Sequence, residues 1–190
     1  FHWGPFDFQW YIEACKSRPE YAQNETGFHD VNRFINLPPH PYSGNQSIPD
    51  YVKMEMKQGN SDLASPLEIA QKLKDHSKKA LEIVEALNPG NHRELGFTLH
   101  DIRTMALLGQ YYAHKIEGAT QLALFRATGK ASYQEAAVSQ LTEALATWKL
   151  YTEAALEQNH NPLWTNRVGY VDWTKITEWV AEDIEIARKG

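Results

Sequence analysis

The first part of the chain brings aromatic rings and polar groups together at spacings that suit the recognition of a sugar. Residues 3–13 mix aromatic rings with two carboxylates and an amide, and residues 27–34 place further polar groups between two phenylalanines. Aromatic faces stack on the C–H groups of a sugar ring, while carboxylates, amides and guanidinium groups bond its hydroxyls. The pattern therefore predicts carbohydrate-binding candidates, which are Trp10, Glu13, His29, Asp30, Asn32 and Arg33.

The same residues also have a structural interpretation, which the sequence leaves open. The aromatic rings can form a small core that ties an irregular segment to the rest of the protein. Asp30 or Asn32 then caps a helical turn, and Arg33 takes part in a structural pair. Glycoside hydrolysis requires two carboxyl groups flanking the scissile bond, and Asp7, Glu13 and Asp30 are candidates for one of them. Catalytic residues are therefore not assigned.

The rest of the sequence contains none of the common catalytic or metal-binding patterns. His100 and His114 fall on one predicted helix about 21 Å apart, too far to share a metal. Cys15 is the only cysteine, so it excludes an internal disulfide and is typical of a small buried hydrophobic residue. Phosphate loops, nucleophile elbows and zinc patterns are missing from the sequence. The sequence predicts no metal and no cofactor.

The composition is that of a globular protein. The 190 residues are 42% hydrophobic and 23% charged, with a net charge of −5. An acidic balance disfavours a nucleic-acid partner, and no apolar run has the length of a membrane span. Residues 1–5 carry neither the basic nor the apolar region of a signal peptide.

The distribution of proline and aromatic residues divides the chain into two regions of different composition. Residues 1–60 hold 6 of the 9 prolines and 11 of the 22 aromatic residues, so only short elements fit there. We predict a strand at 7–10 and helical turns at 11–16, 29–35 and 49–56, the last capped by Ser47. This irregular segment should pack against the helices that follow it or against a partner domain.

From Ser65 onward the apolar residues recur at helical spacing. A capping box at residues 65–68 starts the first helix, and the next is predicted at 91–127, with an apolar stripe that includes Leu95, Ile102 and Met105. A second capping box at 132–135 starts a helix that runs to 158, residues 159–170 form a loop, and Asp172 caps the last helix. We therefore predict an all-α fold, in which residues 61–190 form an antiparallel up-down bundle of about four helices. Gly96, Gly109 and Gly118, inside the second helix, indicate close helix packing or a bend.

Several stretches of this sequence resemble the C-terminal part of large secreted proteins from Bacteroidetes-type polysaccharide degraders. The resemblance lies in residues 8–15, 26–35, 38–41, 44–52, 101–119 and 168–173, and so extends over nearly the whole chain. Such proteins are described as glycoside hydrolases or carbohydrate-binding proteins. The resemblance implies a secreted or periplasmic protein and an upstream, barrel-like catalytic domain in the same polypeptide. Residues 1–60 would then be the tail of that domain or its seam with the helices.

Three functions remain open at this point. The first is a C-terminal accessory helical domain of a carbohydrate-active protein. Its role would be structural or substrate-assisting, it would be inactive alone, and an oligosaccharide would be a further partner. The second is a helical interaction module that binds a peptide or a partner subunit, which requires an exposed apolar patch on the helices. The third is a complete small enzyme that uses Glu13 or Asp30 as acid or base, which requires two carboxylates in one pocket.

Overall fold

A computed structural model of the chain describes residues 28–40, 42–165 and 169–190. Over these residues the protein is mainly helical, which confirms the helical character of the predicted all-α fold. The predicted strand at 7–10, the turn at 11–16, Trp10 and Glu13 lie outside the described residues. The helices are α1 (Val31–Asn36), α2 (Ile48–Met56), α3 (Pro66–Ala86), α4 (Arg93–Thr128), α5 (Ala131–Leu156) and α6 (Trp173–Lys189), and two strands, β1 (Leu163–Thr165) and β2 (Gly169–Val171), lie between α5 and α6.

Side-chain caps start four of these helices. Asp30 caps α1 by accepting a hydrogen bond from the Arg33 N–H, and Ser47 caps α2 by accepting one from the Asp50 N–H. Ser65 and Glu68 form the predicted reciprocal capping box of α3, and Asp172 caps α6. Each cap satisfies a backbone N–H that has no partner inside the helix.

The start of α5 differs from the prediction. Ser132 does not cap the helix, because α5 begins one residue earlier, at Ala131, and has Lys130 at the cap position with no side-chain bond. The cause is the preceding turn, in which Gly129 adopts a left-handed conformation with φ of 69° and its N–H bonds the Phe125 carbonyl. That turn reverses the chain within two residues, so Ser132 already lies in the first turn of α5.

The predicted loop at 159–170 contains a short β-hairpin. Strands β1 and β2 pair antiparallel, with Leu163 opposite Val171 and Thr165 opposite Gly169. Both strand sequences are rich in aromatic and β-branched residues, which favour extended structure once they have a partner strand. The hairpin leads directly into Asp172, the cap of α6.

The core forms where α4 packs against α3 and α5, with α6 packed on α5 and with α1 and α2 on α4. Trp148 of α5 lies at its centre, edge-on to Tyr111 at 4.9 Å between ring centroids, and donates a hydrogen bond to the Thr177 hydroxyl of α6. Val31 and Ile35 of α1 share a second cluster of buried side chains with Leu122 of α4. Ile48 and Val52 of α2 join the same cluster, so both short helices bury apolar side chains against α4, although Met56 of α2 stays exposed.

The glycines of α4 lie where neighbouring helices come close. A Cβ on Gly118 would lie 2.7 Å from the Leu141 Cγ of α5, and one on Gly109 would lie 2.5 Å from the Ser77 Oγ of α3. Real Cβ atoms do not approach other atoms this closely, so glycine lets the backbones approach at these two positions. The predicted role of Gly109 and Gly118 in close helix packing is confirmed.

The first turns of α4 depart from the predicted apolar stripe. Leu95, Ile102 and Met105 were expected to be buried, yet their side chains are 42%, 41% and 56% exposed. α5 ends beside His100, whose Nε2 lies 2.8 Å from the Ala154 carbonyl, so α5 does not reach Leu95. Ile102 and Met105 lie alongside α5, on a part of the α4 surface that the neighbouring helices leave uncovered.

Candidate functional site

The most concentrated polar grouping in the described residues is a buried ion pair between α4 and α6. Lys115 and Asp183 are 0% and 1% exposed, and the Lys115 Nζ lies 3.0 Å from the Asp183 Oδ2. Charges removed from water in this way are costly unless they are paired and also hydrogen-bonded.

The backbone just before α1 supplies the additional hydrogen bonds. The Lys115 Nζ donates to the His29 carbonyl at 2.6 Å and to the Tyr111 hydroxyl at 3.3 Å. The Asp183 Oδ1 accepts from the Val31 N–H, also at 2.6 Å. One ion pair therefore joins three parts of the chain: α4, α6 and the start of α1. We call Lys115, Asp183 and the backbone of residues 29–31 the buried junction.

Aromatic rings surround the ammonium group of the buried junction. The Lys115 Nζ lies 4.3 Å from the centre of the Phe28 ring, 5.4 Å from that of Phe34 and 5.8 Å from that of Tyr111. The faces of aromatic rings carry partial negative charge, which attracts a cation and partly replaces its lost hydration. The aromatic residues at the start of the described chain thus contribute to the packing of a charge.

Burial has the larger effect on the carboxyl group. Loss of solvent raises the pKa of Asp183, and the attraction and hydrogen bonding of Lys115 and the hydrogen bond from the Val31 N–H only partly oppose this rise. Both groups are inaccessible to solvent, so a substrate cannot reach them without displacing α1. The arrangement holds the chain together, and in this form it offers no acid or base to a ligand.

The structure gathers the four described sugar-binding candidates at α1 and shows their intrachain roles. His29 is buried and its carbonyl bonds Lys115, while Asp30 caps α1. The Asn32 Oδ1 accepts a hydrogen bond of 2.7 Å from the Arg126 guanidinium of α4, and the Arg33 side chain is exposed. Asp30 thus caps a helix as the alternative interpretation predicts, whereas the Asn32 side chain bonds Arg126 and caps nothing. Their binding of a sugar, with Trp10 and Glu13 outside the described residues, stays a prediction.

Sequence reasoning missed Lys115 and Asp183. A signal was present, because each is a charged residue beside the apolar stripe of its helix, Lys115 before Ile116 and Asp183 before Ile184. A charge in such a position is usually solvated or paired. The sequence could not name the partner, because the pairing depends on how α4 and α6 come together.

A second polar group joins α4 to the end of α5 at the surface. The His100 Nδ1 lies 3.4 Å from a Glu157 carboxylate oxygen, and the Arg103 guanidinium lies 3.6 Å from the other. Glu157 and Arg103 are largely exposed, so their pairing contributes little to stability. These contacts show that the end of α5 lies beside residues 100–103 of α4.

The described residues contain no cluster of three or more His, Cys, Asp or Glu side chains suited to holding a metal ion. No helix among them has the length and apolar character to cross a membrane.

Comparison with protein families, with curated proteins and with solved structures finds no match to this chain.

Proposed function

We propose that this chain is a non-catalytic accessory helical domain, which supports a neighbouring functional part of a secreted carbohydrate-active protein. The observation that carries this proposal is the buried junction, in which the two charged side chains act on the chain itself. Lys115 and Asp183 hold the backbone of residues 29–31 against α4 and α6. The sugar-binding candidate Asp30 lies in this segment and Asn32 and Arg33 follow it, so the helices act as the support that positions them. The link to carbohydrate rests on the resemblance of the sequence.

The support is proposed to be an antiparallel up-down bundle built from α3 to α6. Contacts between α3 and α4 run in opposite chain order, since Lys74 pairs with Glu117 at 2.6 Å while Ser77 faces Gly109. The same order holds between α4 and α5, where His114 bonds Gln140 at 2.9 Å and His100 reaches Ala154. Helices in this order, with the short connections of residues 87–92 and 129–130, favour the up-down arrangement.

Calorimetry of the chain with plant and host polysaccharide oligomers, together with a glycosidase assay, tests the accessory proposal. We expect no turnover by the chain alone, and any heat of binding should fall when Arg33, the exposed candidate on α1, is changed to Ala. Exposed Arg93 at the start of α4 provides the matched control, since Arg93→Ala removes the same group at the end of α4 that lies away from Lys115 and α1. Glycosidase turnover by the purified chain would contradict the proposal.

The exposed apolar residues of α3 and α4 support a second candidate function, a helical interaction module. Six large apolar side chains between residues 83 and 105 are more than two-fifths exposed: Ile83, Leu87, Leu95, Phe97, Ile102 and Met105. Exposed apolar side chains concentrated in one region are typical of protein-binding surfaces. This function is compatible with the first, because an accessory domain needs a surface with which to bind its neighbour.

A further inference from the structure

If the second candidate function, the interaction module, holds, the chemistry of the exposed side chains identifies the kind of partner. We propose that the end of α3 and the first turns of α4 bind a protein surface with an apolar centre and a basic rim. We call this region the tip surface and define it by residues 82–105 with the adjacent end of α5, residues 149–157. The buried junction lies elsewhere, between α4, α6 and the start of α1.

The first turns of α4 extend past the end of α5. α4 has 36 residues and α5 has 26, and the contact of His100 with Ala154 places the end of α5 beside the second turn of α4. The turn after α3 covers only one side of this extension, where a Cβ on Gly96 would lie 4.0 Å from the Pro89 Cβ. Leu95 and Phe97 are left exposed there, and residues 91–95 line an open depression. Met105 is exposed further along α4, where it lies alongside α5.

Apolar exposure is concentrated at the tip surface. Of the eleven large apolar side chains that are exposed in the described residues, eight belong to it: the six of α3 and α4 together with Leu150 and Leu156 of α5. At about 25 cal/mol per Å² of apolar surface, covering several such side chains stabilises a complex by several kcal/mol before the costs of association.

The charged side chains of the tip surface are mostly acidic. Six carboxylates and three cations are exposed there, which gives a net charge of −3. The acidic residues are Glu82, Glu85, Glu94, Asp101, Glu153 and Glu157, and the basic ones are Arg93, Arg103 and Lys149.

Both arginines of the tip surface already have a partner within it. The Arg103 guanidinium lies 3.6 Å from Glu157, and the Arg93 guanidinium lies 5.3 Å from the centre of the Phe97 ring. The charge that is offered outward is therefore acidic. A second copy of this chain would place one acidic rim against another, which is unfavourable, whereas a basic rim is complementary. Like-charge repulsion also disfavours an anionic membrane or nucleic acid at this surface.

Two synthetic amphipathic helical peptides of about 18 residues test the proposal. Both have leucine along one face, and the other face is lysine in one peptide and glutamate in the other. Affinities for the full chain are measured by calorimetry, and the binding site is mapped by amide chemical shifts. We expect the lysine peptide to bind at residues 82–105 and the glutamate peptide to bind at least about tenfold more weakly.

Two double variants separate the apolar contribution from the charge. Phe97→Ser with Met105→Ser should weaken the lysine peptide about tenfold or more, because it removes the exposed apolar centre. Glu94→Lys with Asp101→Lys should weaken the same peptide and strengthen the glutamate peptide. Met56→Ser, an equally exposed apolar site outside the tip surface, is the control and should leave both affinities unchanged.

The possible outcomes distinguish the partner chemistry from the interaction function itself. If the serine variant weakens binding while the two peptides bind equally well, the basic rim is wrong and the interaction module stands. If neither peptide binds, or if the serine variant changes nothing, both proposals fail. Self-association of the chain in sedimentation velocity that disappears in the serine variant would replace the basic partner with a second copy.

Discussion

At Lys115 and Asp183, two charged groups are buried, and the hydration that they lose must be replaced by contacts within the protein. Each ion loses several kcal/mol of hydration on burial, and the pair recovers this through attraction, hydrogen bonds to the backbone and the rings around the ammonium group. Because the compensation is shared, removal of one partner leaves the other charge buried without its counter-ion. The two side chains should therefore behave as a unit.

Lys115→Met should lower the free energy of unfolding by about 3–5 kcal/mol, because it leaves the Asp183 carboxylate buried without a counter-ion. The double variant Lys115→Met with Asp183→Leu should lose clearly less than the sum of the two single variants, with a coupling energy of about 2 kcal/mol. Urea unfolding followed by tryptophan fluorescence measures all four proteins.

Removal of the exposed pair between Glu185 and Arg188 on α6 is the matched control and should change stability little. Strict additivity of the Lys115 and Asp183 variants would show that the two side chains contribute independently and would contradict the buried junction.

At the scale of the helices, packing depends on small residues at particular positions of α4. Gly118 is enclosed, since an added Cβ would also lie 3.3 Å from the Leu141 backbone nitrogen, an atom that cannot move without the helix. Gly96 sits near the open end of α4, where an added Cβ would meet nothing closer than 4.0 Å. The two glycines belong to the same helix and differ mainly in what faces them.

Gly118→Ala should therefore destabilise the protein by about 1–3 kcal/mol, because it forces α4 and α5 apart. Gly96→Ala should stabilise it by up to about 1 kcal/mol, because alanine favours the helix and finds space there. Thermal and urea unfolding of the two variants give the comparison. Equal effects at both positions would mean that helix propensity, and not close packing, governs these sites.

The capping box of α3 makes the stability of this helix dependent on pH. The Glu68 carboxylate accepts a hydrogen bond of 2.7 Å from the Ser65 N–H, and this bond, with the Ser65 hydroxyl, lowers the pKa of Glu68 below its ordinary value of 4.5. The unfolded chain therefore takes up a proton before the folded chain does as the pH falls. The stabilisation is present above pH 4.5 and is lost below it, as the pH approaches the lowered pKa of the folded state.

Glu68→Gln should remove this part of the acid sensitivity, so that the stability difference between wild type and variant shrinks as the pH falls below 4.5. Urea unfolding over a pH series measures the difference, and Glu82→Gln, at an exposed position near the other end of α3, is the control. Ser65→Ala should cost about 1 kcal/mol at neutral pH, since it removes the other half of the box. A difference that stays constant with pH would show that the Glu68 carboxylate does not act as a cap.

At the scale of the whole molecule, the buried junction connects α1 to the helices far along the chain. The Val31 N–H is buried and bonded to Asp183, and Val31 itself packs in the cluster that includes Leu122. An element held by both a hydrogen bond and apolar burial should open only when the core opens.

Native-state hydrogen exchange tests this coupling through two buried amides, those of Val31 and of Ala113 in α4. We expect the two opening free energies to agree within about 1 kcal/mol in the wild type, and the Val31 amide to lose its protection first in the variant with Lys115→Met and Asp183→Leu. A Val31 amide that exchanges several kcal/mol more easily than Ala113 in the wild type would mean that α1 opens on its own. The support proposed for the sugar-binding candidates would then fail.

The sequence by itself determined most of the helix starts of this protein, with the box at Ser132 as the exception. The caps Ser47, Ser65 and Asp172 were predicted correctly, because a cap and the N–H that it bonds are three residues apart. The apolar spacing likewise predicted α3 and α4 to within a few residues, because the apolar residues on the buried face of a helix recur at every third or fourth position.

Only the tertiary structure decided which charges are buried and which apolar residues are exposed. Lys115 and Asp183 are buried because α4 and α6 come together around the start of α1, and no local pattern specifies that meeting. Leu95 and Met105 fit the apolar stripe of α4 yet remain exposed. α5 ends before it reaches Leu95, and Met105 lies alongside α5 on a side of α4 that its neighbours leave uncovered. Periodicity tells which side of a helix is apolar, whereas the lengths and positions of its neighbours determine how much of that side is covered.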